Sequence, residues 1–226
     1  MDLRRNLEAV NERIARAAAR AGRNREGIVL LAVSKVFPAS AIREAYALGL
    51  REFGENYVQE FEAKNLELSG LPEARYHYIG HLQSNKAKLA AELFHVIQTV
   101  DSEKVARRLD SFAARPLDVM LEVKLAAESS KSGAVPEDLP KLVEAVRQCP
   151  RLRLAGLMTI PPWSEDAELS RPYFRRLHGL SEALGVPGLS MGMSHDLEVA
   201  VEEGATCVRV GTALFGRRKP AAAATP

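Results

Sequence analysis

The sequence predicts an α/β fold: a single (β/α)₈ barrel of the TIM type with an extra helix at its N-terminus. Three observations predict it. Short, β-branched apolar runs alternate with longer stretches of helical periodicity, an order that demands a parallel sheet with helical crossovers. About eight such runs fit within 226 residues, an ordinary length for one closed barrel. No stretch rich in Gly, Pro or Ser divides the chain, so one unit is expected over residues 1–216, followed by an Ala/Pro-rich tail at 217–226 that reads as disordered. An open, doubly wound sheet is the structural alternative.

The elements follow in order. Leu3, Leu7, Val10, Ile14, Ala17 and Ala21 recur at helical spacing and give the opening helix. The run from Ile28 to Val33 has the character of a strand buried on both faces. Pro38 starts a helix carrying Ile42, Tyr46 and Leu48, closed by Gly49. Strands are expected at 50–54, 76–79 and 94–100, with Asp101 or Ser102 capping the next helix. A fifth strand, 117–123, follows Pro116; a helix runs from Pro136 to Gln148, then a strand spans 152–158. Pro161-Pro162 interrupts the pattern before a long helix ending near Leu184. A strand at 189–193, a helix at 196–203 and a final strand at 206–210 complete the set, and the last strand leads into a short turn.

Composition excludes several classes. Hydrophobic residues at 46% supply a large core, while a formal charge of +2 lacks the basic footprint of a nucleic-acid binder. The one concentrated basic run, Arg217-Arg218-Lys219, reads as a solvated end. The two cysteines, Cys149 and Cys207, have no CxxC spacing, which argues against a thiolate metal site and fits a reducing compartment. No apolar run reaches the roughly 18 residues of a membrane span, and the N-terminus is not a signal peptide. A cytoplasmic protein without a membrane or nucleic-acid partner is expected.

Chemistry in such barrels sits at the C-terminal ends of the strands. Lys35 stands there, two residues after Val33. Burial lowers a lysine pKa and enlarges the neutral fraction that Schiff-base formation requires; a lysine snorkelling from the barrel mouth is the plain alternative. Loops after the seventh and eighth strands commonly hold phosphate. In Ser190-Met-Gly-Met-Ser-His195 and Val208-Arg-Val-Gly-Thr-Ala-Leu-Phe-Gly216, Gly192 and Gly211 permit close backbone approach, and Ser194 and Thr212 offer hydroxyls. Ser194 could equally be a helix cap and Thr212 a turn residue. His77 and His81 have the spacing of a helical metal pair, but the Tyr-Ile-Gly between them reads as a strand end, so no metal site is expected.

Several ordered motifs resemble the pyridoxal phosphate homeostasis protein family, the YggS-like group related to the N-terminal barrel of bacterial alanine racemase. They are Ala32-Val-Ser-Lys35, Phe53-Gly-Glu-Asn-Tyr57, His77-Tyr-Ile-Gly-His-Leu-Gln-Ser-Asn-Lys86, Ser130-Lys-Ser-Gly133, Gly156-Leu-Met-Thr-Ile160 and the two loops quoted above. The resemblance extends from about Leu3 to Gly216. It implies that Lys35 carries pyridoxal 5′-phosphate as a Schiff base, that Ser194, Gly211 and Thr212 cradle the phosphate, and that Arg209 faces the pyridine nitrogen. A guanidinium only donates, so the ring nitrogen would stay unprotonated and be a weak electron sink. The alternative for Arg209 is an interior ion pair with Glu122 or Glu55. Asn56, His81 and Met158 are candidates for contact with the cofactor, or for packing behind it. Lys131 is the competitor to Lys35 for the aldehyde.

The family implies binding, buffering and delivery of the cofactor, with effects on amino- and keto-acid pools, rather than catalysis. Apoenzymes are the implied recipients. Racemisation or another carbanion reaction is the alternative. It is disfavoured because the chain ends soon after its eighth strand, and none of Tyr46, Tyr57, Tyr76, Tyr78 or Tyr173 can be equated with a second base. The same ending favours a monomer. An interaction protein with a vestigial pocket is a third reading.

Overall fold

The computed structural model of the chain describes residues 2–126 and 132–217. Lys131 and the tail from 218 onward lie outside the described residues.

Eight parallel strands close into a barrel in sequence order, with the first paired to the eighth. The elements are α1 (Leu3–Arg20), β1 (Val29–Val33), α2 (Ala39–Ala47), β2 (Glu52–Glu55), α3 (Val58–Asn65), β3 (Arg75–Tyr78), α4 (Ala87–Leu93), β4 (Val96–Val100) and α5 (Glu103–Phe112). They continue with β5 (Leu117–Glu122), α6 (Leu139–Arg147), β6 (Leu152–Met158), α7 (Arg171–Leu184), β7 (Gly188–Met193), α8 (Leu197–Glu202), β8 (Cys207–Val210) and α9 (Thr212–Phe215). The open-sheet alternative is thereby eliminated. Asp2 and Ser102 cap α1 and α5 by accepting from Arg5 N and Val105 N.

Departures from the sequence reading have local causes. The sequence predicts that β2 begins at Leu50, but the Leu50 N–H bonds back to Ala45 O and its side chain is buried outside the barrel with the helix layer. The final strand leads into a helical turn, α9, rather than a bare turn: Leu214 and Phe215 both donate to Gly211 O, and burial of their side chains favours the wound form. Asn6 Nδ2 bonds Leu214 O at 2.7 Å, so α1, which packs on α8 and α9, holds this turn in place.

Side chains alternate between two compartments. Residues such as Ala32, Phe53, Tyr76, Ile97 and Val208 face the helices and form the main hydrophobic core. The opposite parity points into the barrel, where Gly54 leaves room for Leu31 and Ile79: a Cβ on Gly54 would lie 3.1 Å from Leu31 Cδ2 and 3.2 Å from Ile79 Cδ1. The interior is unusually polar, with His77, Gln98, Ser190 and Arg209 all buried in one connected hydrogen-bond chain. Along β1 this inward parity runs Leu31, Val33, Lys35, and it carries the lysine to the C-terminal mouth.

Candidate functional site

The strand ends of β1, β2, β7 and β8 surround a pocket of about 290 Å³, near the lower end for small-ligand sites. Lys35, Asn56, Ser194, Arg209, Gly211 and Thr212 all line it. Residues some 175 positions apart in the chain meet here because β1 pairs with β8. Lys35 is half-buried and sits in a tight turn closed by Phe37 N donating to Ser34 O at 3.0 Å.

Ser194 and Thr212 face one another across two loops, with their hydroxyl oxygens 3.4 Å apart. Ser194 Oγ also accepts from Ala213 N at 3.3 Å, and Arg13 on α1 donates to Ser194 O at 3.0 Å. Ser194 does not cap α8; that position is Asp196, whose carboxylate accepts from Met193 N and from Ser170 Oγ and so fixes the loop. A Cβ on Gly211 would make only ordinary van der Waals contact, with Val33 from 3.4 Å outward, so packing does not demand this glycine. Gly192 is different. With φ of +88°, its added Cβ would lie 2.4 Å from Ala200 Cβ, so it admits α8 against β7 rather than a ligand.

Arg209 is buried at the floor of the pocket. It donates to Ser190 Oγ at 2.7 Å and to Thr159 O at 2.8 Å, and it forms no ion pair with a carboxylate among the described residues. Glu55 is engaged elsewhere, and Glu122 accepts from Ser132 Oγ through both oxygens at 3.0 Å. Burial pushes the Glu122 carboxyl above its ordinary value, the Ser132 bond opposing it. Burial likewise lowers Arg209, from a starting point so high that the guanidinium stays charged.

A donor-only group also fixes the direction of everything below it. Because Arg209 donates to Ser190, the serine hydroxyl donates to Gln98 Oε1 at 2.6 Å. Gln98 Nε2 then donates to His77 Nδ1 at 2.9 Å, which leaves the proton on His77 Nε2 to meet Glu52 at 2.5 Å. His77 is thus a link in the barrel interior.

Two candidates stand apart from the pocket. Met158 is fully buried and inward-facing between Glu122 and Ser190, below the lining residues. His81 is exposed beyond the end of β3, its Nδ1 3.9 Å from Asp101. In turn the pocket includes Val33, Ile79, Ile160, Trp163, Met193 and His195, none of them a site candidate from the sequence. Strand parity would have found Val33 and Ile79, which lie two residues from Lys35 and His77. Trp163 gives no such signal, since it follows the Pro161-Pro162 break.

A cationic floor, a lysine on one wall and paired hydroxyls at the mouth suit a small anion that also carries an amine-reactive carbonyl. Comparison with known proteins agrees with that chemistry. The family model for the alanine racemase N-terminal domain matches residues 5–219. A pyridoxal phosphate homeostasis protein of Pseudomonas aeruginosa is 51% identical over 218 residues, covering 94% of both chains. The chain belongs to the pyridoxal phosphate homeostasis protein family. Another member, from Escherichia coli, is 45% identical over 227 residues, covering 96% of this chain and 97% of its own. Among solved structures, PipY of Synechococcus elongatus with pyridoxal phosphate bound superposes with a TM-score of 0.81 at 42% identity, covering 90% of this chain and all of that one. Family membership extends over nearly the whole barrel, including both loops of the mouth.

Proposed function

We propose that this protein binds pyridoxal 5′-phosphate in the barrel-mouth pocket and serves its homeostasis, holding the cofactor and delivering it to apoenzymes. The observation that carries the reading is convergence: Lys35, Ser194, Thr212, Gly211 and Arg209 line one pocket. The names of the relatives and the ligand of PipY support it. Ser194 and Thr212 would donate to the phosphate, with Gly211 giving it room. Asn56 would contact the ligand from the β2 side. When bound, the ligand supplies an aldehyde that condenses with an amine. In that condensation Lys35 Nζ bonds to the aldehyde carbon, and the two amine hydrogens leave with the oxygen as water.

The same geometry supports a carrier over a racemase. Arg209 can only donate, so a pyridine nitrogen beside it gains no proton and the ring remains a poor electron sink. None of the tyrosines lines the pocket to act as a second base. We place the carrier in the cytoplasm as a monomer. No helix among the described residues is long and apolar enough to cross a membrane.

Borohydride reduction of the loaded protein followed by peptide mass spectrometry should place the pyridoxyl group on Lys35; label on Lys131 refutes the assignment. Deuterium exchange at Cα of alanine and other amino acids should match that of free cofactor. A rate of about 1 s⁻¹ or more that vanishes in Lys35→Ala overturns the carrier reading.

A further inference from the structure

Behind the turn that bears Lys35 lies a polar cluster with no contact to the pocket. Lys64, on α3, is a buried lysine whose Nζ bonds Glu55 at 3.0 and 3.1 Å and Glu60 at 2.5 Å. All three groups also reach the turn. Lys64 Nζ donates to Ser34 O at 3.0 Å, Ser34 Oγ donates to Glu55 at 2.7 Å, and Val36 N donates to Glu60 at 2.6 Å. The residues on both sides of Lys35 are therefore gripped by one ionic network, while the lysine between them faces the other way, into the barrel mouth.

Val36 explains why a grip is needed. Its φ is +62°, the sole positive value at a non-glycine residue among those described. It is the third residue of the Ser34–Phe37 turn, a position where positive φ ordinarily selects glycine. A β-branched side chain crowds its own backbone there and is an outlier. Packing does not enforce the conformation, for Val36 is 51% exposed. Beside the Phe37–Ser34 bond that closes the turn, what holds it is the hydrogen bond from its own N–H to Glu60, and Glu60 is itself held by Lys64. Strained backbone beside a functional group persists where surrounding structure over-determines it.

We infer that Glu55, Glu60 and Lys64 form a clamp that holds Val36 in its left-handed conformation and thereby aims Lys35 at the ligand carbonyl. They are positioning residues and touch no ligand. This rests on Lys35 being the amine that condenses with pyridoxal phosphate. The clamp fixes the Cα–Cβ direction of Lys35 before the ligand arrives, so the amine need not search for the aldehyde carbon once the phosphate is seated.

The test is a double-mutant cycle on Glu60→Ala and Val36→Gly, since glycine adopts positive φ without help. Glu60 is partly exposed, so its removal leaves the fold intact, which a thermal melt checks. In Glu60→Ala the equilibrium for imine formation, read from the visible absorption band, should fall about tenfold or more. Retention of 4-deoxypyridoxine 5′-phosphate, which keeps the phosphate but has no aldehyde, read by ultrafiltration, should hold within about threefold, because the cradle is untouched. In the unliganded protein, hydrogen exchange at the Val36 amide should accelerate. Adding Val36→Gly should restore much of the imine. If imine formation ignores Glu60→Ala, or its loss is not rescued by glycine, the clamp is overturned. A pyridoxyl group absent from Lys35 in the unsubstituted protein overturns the lysine assignment and the clamp together, and so separates the two failures.

Discussion

Joint replacement of Ser194 and Thr212 by alanine tests the phosphate cradle. Their oxygens are 3.4 Å apart, close enough for both to donate to one phosphate group. A hydrogen bond to a charged group contributes about 1.5–3 kcal/mol, so the pair should contribute about 3–6 kcal/mol and its loss should weaken pyridoxal phosphate roughly 10²- to 10⁴-fold. Pyridoxal lacks the phosphate and should lose less than about tenfold. The native structure loses little. Ser194 Oγ accepts only two long bonds, from Ala213 N at 3.3 Å and Thr212 Oγ1 at 3.4 Å, so thermal stability should fall by no more than about 1 kcal/mol. The assay is fluorescence titration of both ligands, with Trp163 as reporter: it is the single tryptophan, it lines the pocket and it is 75% exposed. Equal weakening of the two ligands would refute the cradle, because it would mean that the hydroxyls hold the loops rather than a phosphate.

Other outcomes follow from the fold. Gly192→Ala combines a 2.4 Å overlap with Ala200 and a φ of +88°, so it should destabilise by about 2–4 kcal/mol in a melt; a near-normal melt with selective loss of ligand would reverse the packing role given to Gly192. His95 accepts from Tyr76 N at 3.1 Å through Nδ1, and burial, aided by Arg115 and Arg75, lowers its pKa to about 4. The unfolded chain protonates near 6.5, so this contribution to stability is present above about pH 6.5 and is lost as pH falls towards 4. His95→Asn, which can keep an acceptor for Tyr76 N, should flatten the melting temperature between pH 7 and 4.5; an unchanged slope would show that other groups carry it.

The sequence by itself determined the strand–helix alternation and most of the residues at the mouth, while closure of the sheet into a barrel was read from the structure. Strand 1 reads as apolar through Val33, so Lys35 had to emerge at a C-terminal strand end, and the loops after the last two strands had to lie beside it once β1 paired with β8. Such features depend on local chemistry and strand order. Tertiary structure decided what depends on which face a side chain takes and what stands opposite. It sent Met158 below the pocket and left His81 outside it. It turned Gly192 into a packing residue, for only the approach of α8 brings Ala200 against it. It gave Arg209 neutral partners rather than Glu122 or Glu55, since Glu55 lies on the outer face of β2 with Lys64. Above all it set Val36 in a left-handed turn: valine does not announce positive φ, and the Glu60 that holds it lies 24 residues away, on α3.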